Sequence, residues 1–314
     1  MDKITIFGAG HVGATTAFYL ALTESFEIAL VDIDEGIATG MALDIAQSLP
    51  YAGSGARLEG GGSTELVEGS DLVIITAGFP RLPGMSRMDL TSRNRPIVTG
   101  IAEEVASRAP DAVVIVVTNP VDEMTYLAWR AGAFPERRVM GMAGVLDNSR
   151  FMYFLDRLAA VPAREASTLV LGTHGDDMVP LPDWSTVAGT SLAERVDRNL
   201  IDTAVDRTRD GGAEIVAHMK TGSAYFAPAV SVGVMALAVL ADTGRVLPVS
   251  AYARGQYGID GIFIGVPARL GRAGVLEILE IPLSGRERES LAGAAAGVRR
   301  RIEELDTVAV DEND

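Results

Sequence analysis

Residues 7–14 read FGAGHVGA and residues 28–33 read IALVDI, and this pair of segments decides the fold. Gly8, Gly10 and Gly13 make a G-x-G-x-x-G pattern directly after an alternating apolar run at 4–7, at the head of a helix-periodic stretch at 12–22. The first glycine permits a tight turn, the second lets backbone approach a pyrophosphate, and the third lets helix and strand pack closely. The helix N-terminus then offers N–H donors and partial positive charge to the phosphates. Alone the pattern is weak, because glycines at a strand-to-helix turn often serve packing only. Asp32 adds weight: it ends the second strand about 20 residues further on, where a carboxylate accepts from ribose hydroxyls. It would repel a 2′-phosphate, so NAD is expected over NADP. A helix-capping role for Asp32 is the weaker reading, since Asp34 is better placed for it.

Working outward, short apolar runs at 4–7, 28–31, 72–76 and 112–117 alternate with helical stretches at 12–22 and 36–49. In the latter, Ile37, Met41, Ile45 and Leu49 recur every fourth residue. Such alternation predicts βαβ units and a parallel sheet, with the glycine-rich patch at 53–62 a loop around a weak strand. From about residue 145 the pattern turns to longer helices, at 146–159, 201–220 and 228–241, with strand-like pieces at 169–171 and 262–266. The expected fold is α/β: a Rossmann-type doubly wound parallel sheet over residues 1–144, followed by an α+β domain over 145–314. A final helix at 287–305 places Leu291, Ala295, Val298, Ile302 and Leu305 on one stripe, and 311–314 reads as a solvated tail.

The length of 314 residues fits two domains, and 48% apolar with 22% charged residues is a globular composition. There is no cysteine, which excludes a disulfide framework, a zinc finger and cysteine catalysis, and fits a reducing cytoplasm. Three histidines leave little for a metal cluster, and no metal is expected. A net charge of −15 argues against nucleic acid or an anionic membrane as partner. Residues 1–7 lack the basic segment and apolar core of a signal peptide, so none is expected. The near-apolar run at 227–241 is too short for a bilayer and reads as a core helix. Lys3 and Lys220 are the only lysines, the other basic residues being arginine. That bias fits either a salty cytoplasm or GC-rich coding.

Three further segments carry polar groups that packing does not require: FPRLPGMSRMDL at 79–90, VLDNSR at 145–150 and GTHGDDMVP at 172–180. With VTNPVD at 117–122 they stand in an order that resembles the lactate and malate dehydrogenase family across nearly the whole chain. The likeness is strongest to its lactate-dehydrogenase-like malate dehydrogenases.

The resemblance implies that His174 is the acid–base residue and Asp147 its carboxylate partner. The chemistry is apt, because imidazole titrates near neutrality and a carboxylate on its other nitrogen stabilises the imidazolium. His11 and His218 lack such a context and are read as non-catalytic. Arg150 matches the family's carboxylate-binding arginine, whose planar fork grips a carboxylate bidentately. Arg87 would polarise the reacting carbonyl. Asn119 would bind substrate and position the nicotinamide. Further cofactor contacts are implied at His11, Val12, Thr76, Ala77, Gly78, Asn94, Val117 and Asn119. Ser223 and Ala224, in TGSAYFAP at 221–228, would wall the substrate, with an alignment uncertain by one residue. Gly84 would give the 79–90 loop freedom while Pro80 and Pro83 stiffen its stem.

Arg81 occupies the loop position where lactate dehydrogenases carry Gln and malate dehydrogenases Arg. A further cation is wanted only for a second carboxylate, and leaving it unpaired costs about 2–5 kcal/mol. The expectation is therefore an NAD-dependent malate dehydrogenase interconverting malate and oxaloacetate, cytoplasmic, and homo-oligomeric as a tetramer or dimer. The alternatives are a lactate or other 2-hydroxyacid dehydrogenase, and a non-catalytic dinucleotide sensor that would not need His174, Asp147 and Arg150.

Overall fold

The computed structural model describes residues 1–80, 84–175 and 177–311. The chain divides into two compact units. The first comprises Met1–Met142, Tyr225–Arg245 and Arg269–Glu277, and the second Ala143–Ala224, Val246–Ala268 and Ile278–Asp314.

In the first unit β1 (Lys3–Phe7), α1 (His11–Thr23), β2 (Glu27–Val31), α2 (Glu35–Ala52), β3 (Arg57–Gly61), β4 (Leu72–Ile75), α3 (Arg87–Arg108), β5 (Val113–Val116), α4 (Val121–Gly132) and β6 (Val139–Gly141) follow one another. The strands lie in the order β3-β2-β1-β4-β5-β6, and every pairing among them is parallel. Ile4, Ile6, Ile28, Leu30 and all four residues of β4 are buried, as strands covered on both faces must be. The order reverses between β1 and β4, so ligand-binding loops belong at the carboxyl ends of these strands.

The weak strand expected within 53–62 is β3. The row of α2 that packs inward is Ala38, Ala42, Ile45 and Leu49, whereas Ile37 and Met41 are exposed. The four-residue stripe expected there is thus rotated at its N-terminal half. The cause is close approach: a Cβ on Gly60 of β3 would collide with the Ala38 carbonyl and stand 2.9 Å from the Ala42 Cβ, so only small residues fit along that line. Asp34 caps α2 by accepting from the Ile37 N–H at 3.1 Å, as expected.

The second unit begins with α5 (Gly144–Ala159) and continues through β7 (Ala166–Ser167), β8 (Val170–Gly172), β9 (Met178–Pro180), β10 (Thr186–Val187), β11 (Thr190–Ser191), α6 (Leu192–Arg195) and α7 (Arg198–Met219). Helix α8 (Phe226–Leu240) returns to the first unit. The single boundary expected near residue 145 therefore becomes several crossings. The physical reason is that α8 is apolar nearly all round, with ten buried residues, and Gly233 lets it settle against the Tyr19 ring of α1. Strands β12 (Val246–Arg254), β13 (Asp260–Gly271) and β14 (Gly274–Ile278) and helix α9 (Gly285–Asp311) complete the chain. In the second unit β12, β13, β8 and β9 are neighbours in that order, and the α9 stripe of Leu291, Ala295, Val298, Ile302 and Leu305 is buried throughout. Among the described residues no helix is long and apolar enough to cross a membrane, and no group of three or more His, Asp or Glu is placed to hold a metal.

Substituting Gly60→Ala is expected to lower stability by about 1–3 kcal/mol, by forcing α2 away from β3. Urea unfolding followed by circular dichroism measures it; an unchanged midpoint would contradict the close approach.

Candidate active site

At the carboxyl end of β1, Gly8 takes φ +101°, and a Cβ there would stand 2.6 Å from Thr76 Oγ1. A Cβ on Gly13 would collide with the Gly8 carbonyl, so the third glycine is fixed by helix–strand contact. Gly10 differs: a Cβ there meets nothing within 4 Å. It is exposed, it caps α1, and no side chain caps the helix's first turn. An open cradle in front of uncapped N–H donors suits a pyrophosphate.

Asp32 follows β2 and accepts from the Ala9 N–H at 2.7 Å and from the Asp34 N–H at 3.0 Å, one bond to each carboxylate oxygen. Each oxygen keeps a lone pair for a ribose hydroxyl. This carboxylate is therefore oriented by the glycine loop itself, and the capping task falls to Asp34. The residues present fit a dinucleotide.

His11, first in α1, stacks on Tyr225 with ring centroids 4.9 Å apart. Thr76 Oγ1 lies 3.1 Å from the Phe7 carbonyl and 3.0 Å from that of Gly8, tying the end of β4 to the glycine loop. The Ala77 N–H donates to Phe7, and the Val117 N–H to Ile75. Gly78 and Asn119 are exposed on loops after β4 and β5. Asn94 is 0% exposed, and its amide bonds to the backbone of Phe79 and Asn119, on the loops after β4 and β5. Arg87 is the first residue of α3, whose start is fixed by a capping box between Ser86 and Asp89. Hydrogen bonds from Ser86 hold the Asp89 carboxyl below the usual carboxylate range. Arg81 and Pro83 lie outside the described residues.

In the second unit, α5 presents Asp147 and Arg150 three residues apart, and His174 follows β8. A Cβ on Gly144 would collide with the Val170 carbonyl, so the start of α5 lies against β8, and this brings the expected pair together. His174 Nδ1 stands 3.1 Å from Asp147 Oδ2 and 3.0 Å from Oδ1, with Asp147 1% and His174 16% exposed. One ring N–H can be directed at only one oxygen; the other, Oδ1, faces Arg150 at 3.7 Å. Burial lowers the Arg150 guanidinium from the ordinary arginine value, and Asp147 opposes the shift. Gly211 and Gly212 of α7 lie beside the Arg150 side chain, where a Cβ would stand in ordinary contact with it at 3.4 and 3.5 Å.

Asp147 Oδ1, Asn148 Oδ1, Arg150 Nε and Thr173 Oγ1 are all buried without a directed hydrogen bond among the described residues. Buried polar atoms are rarely left so, and their concentration beside one imidazole marks a place that a polar ligand completes. Asn148 and Thr173 were not expected; adjacency to Asp147 and His174 was the available signal. Ser223 and Ala224 lie in the turn between α7 and α8, Ser223 exposed and Ala224 half-buried.

Residues 2–141 match the lactate/malate dehydrogenase NAD binding domain, and residues 144–308 the lactate/malate dehydrogenase alpha/beta C-terminal domain. A malate dehydrogenase of Thermomicrobium roseum is 47% identical over 303 residues, covering 96% of this chain and 98% of that protein. The crystal structure of Cryptosporidium parvum malate dehydrogenase superposes with a TM-score of 0.95 at 38% identity, over 98% of this chain and 99% of that one. The structure of Salinibacter ruber malate dehydrogenase gives 0.94 at 42% identity, over 99% and 100%. With both domain models matched in order and relatives similar from end to end, the chain belongs to the lactate/malate dehydrogenase family.

Proposed function

We infer that this chain is an NAD-dependent malate dehydrogenase, interconverting (S)-malate and oxaloacetate. The observation that carries the reading is the His174–Asp147 pair, with Arg150 one helical turn along α5 and, among the described residues, buried polar atoms without hydrogen-bond partners around it. When bound, NAD supplies the redox chemistry, its nicotinamide ring taking hydride from C2 of malate or returning it to oxaloacetate.

The chain's own groups manage charge and protons. Gly8, Gly10, Val12 and Gly13 with α1 receive the pyrophosphate, and Asp32 receives a ribose and disfavours a 2′-phosphate. His174 Nε2 takes the hydroxyl proton of malate or gives it to the carbonyl oxygen of oxaloacetate, while Asp147 holds the ring and stabilises its charged form. Arg150 grips the carboxylate beside the reacting carbon, Arg87 stabilises charge developing on oxygen, and Asn119 positions the substrate. Arg81 is assigned the second carboxylate, and Ser223 and Ala224 are assigned to the wall that faces the substrate. A lactate substrate would leave Arg81 without a counter-charge.

We propose also that the chain works in the cytoplasm as a dimer or tetramer of itself. Ile37, Met41 and Tyr51 of α2 and Phe18 and Leu22 of α1 are exposed apolar side chains, a surface of the kind that associating proteins bury. Sedimentation equilibrium is expected to give twice or four times the mass of the chain.

Because malate requires neutral His174 and oxaloacetate its protonated form, KM for malate is expected to rise as pH falls and KM for oxaloacetate to rise as pH climbs. Parallel titrations in both directions check this, and matching trends would remove His174 from the role. NADH oxidation with oxaloacetate and with pyruvate, side by side, tests the substrate. Arg81→Gln is expected to reduce the preference for oxaloacetate about tenfold or more. An unchanged ratio would remove Arg81 from specificity.

A further inference from the structure

Arg87 stands where helix electrostatics disfavours it. It is the first residue of α3, and the N-terminal end of a helix carries partial positive charge, so a cation there has the unfavourable sign. Helix stability therefore gives no reason for an arginine at that position. Asp89, two residues on, supplies the opposite charge within the same turn.

That turn is closed by a reciprocal set of bonds. The Asp89 N–H donates to Ser86 Oγ at 3.1 Å, while Asp89 Oδ2 accepts from the Ser86 N–H at 3.0 Å and from the Ser86 hydroxyl at 2.7 Å. The Leu90 N–H donates to the Ser86 carbonyl at 3.3 Å, and the Thr91 hydroxyl to the Arg87 carbonyl at 2.8 Å. Leu90 and Thr91 are buried and anchor the turn to the first unit. Ser86 and Asp89 are exposed, so they fill no core; what their bonds fix is the backbone that carries Arg87. On the other side of the cap a Cβ on Gly84 would meet nothing within 4 Å, so packing at that residue does not set the turn.

We propose that Ser86 and Asp89 are positioning residues for the reaction: their reciprocal cap fixes the first turn of α3 and thereby the place from which Arg87 reaches the substrate oxygen. The proposal rests on the role given to Arg87 above. A frayed first turn displaces the Arg87 backbone, and displacement of about 1 Å at a reacting centre costs on the order of 100-fold in rate. Affinity for NADH, which depends chiefly on the glycine loop and Asp32, is left in place.

Oxaloacetate reduction, NADH binding by fluorescence and thermal unfolding are measured for the wild type, Asp89→Ala, Asp89→Glu, Arg87→Gln and the double variant Arg87→Gln/Asp89→Ala. Asp89→Ala is expected to lower kcat by about tenfold or more, with the Kd for NADH changed by less than about threefold. Asp89→Glu, which restores the box with the longer carboxylate, is expected to recover kcat to within about threefold of the wild type. In the Arg87→Gln background Asp89→Ala is expected to cost less than about twofold more, since the group it positions is gone. Ser86→Ala opens the same box from its other end and is the readable variant where Asp89→Ala does not fold. Lowered thermal stability with kcat retained in Asp89→Ala would overturn the proposal in favour of a plain helix cap. An equal loss from Asp89→Ala in both backgrounds would overturn it by showing action other than through Arg87. An Arg87→Gln variant with kcat unchanged would strike the role of Arg87 itself, and the proposal with it. A wild type inactive with oxaloacetate but active with pyruvate would strike the malate reading instead, and the variants are then scored on pyruvate.

Discussion

The Gly8 carbonyl and the Gly13 α-carbon stand too close for any side chain to come between them. That contact holds α1 hard against the carboxyl end of β1, and the cofactor end of the molecule follows from it. With α1 fixed there, its first-turn N–H groups point at open space beside Gly10. The Ala9 N–H in the same turn orients Asp32, so the glycine turn and the Asp32 carboxylate are one hydrogen-bonded assembly. Thr76 extends it to β4 through the Phe7 and Gly8 carbonyls.

The His174–Asp147 pair obeys a different constraint. Asp147 is almost wholly buried, and a buried carboxylate is tolerated only with cationic or hydrogen-bonding partners. His174 and Arg150 divide the two oxygens between them. The imidazole is thereby oriented by a buried carboxylate, and Gly144 sets the spacing by letting α5 lie on β8. Among the described residues, Asn148 Oδ1, Arg150 Nε and Thr173 Oγ1 are buried without a hydrogen-bond partner.

The parallel sheet of the first unit was legible because β1, β2, β4 and β5 are compact apolar runs alternating with helical stretches. The stripe of α9 was legible because all five of its apolar residues face inward. On α2 the reading by size failed, since Ile37 and Met41 are larger than Ala38 and Ala42, yet the backbone of Gly60 selects the alanines. The chain's return at α8 was invisible for a related reason: an apolar helix shows that it is buried but not which neighbour buries it. His174, Asp147 and Arg150 could be named from their motifs, whereas the orientation of Asn94 depends on two backbone carbonyls and an N–H, which no side-chain pattern encodes.

Because Tyr225–Arg245 and Arg269–Glu277 fold back into the first unit, that unit is not a continuous stretch of the gene. A fragment ending at Met142 would leave the α1 surface that α8 covers in contact with water. The two halves therefore cannot be shuffled as separate cassettes, and a hybrid with a foreign nucleotide-binding half would have to import α8 along with it.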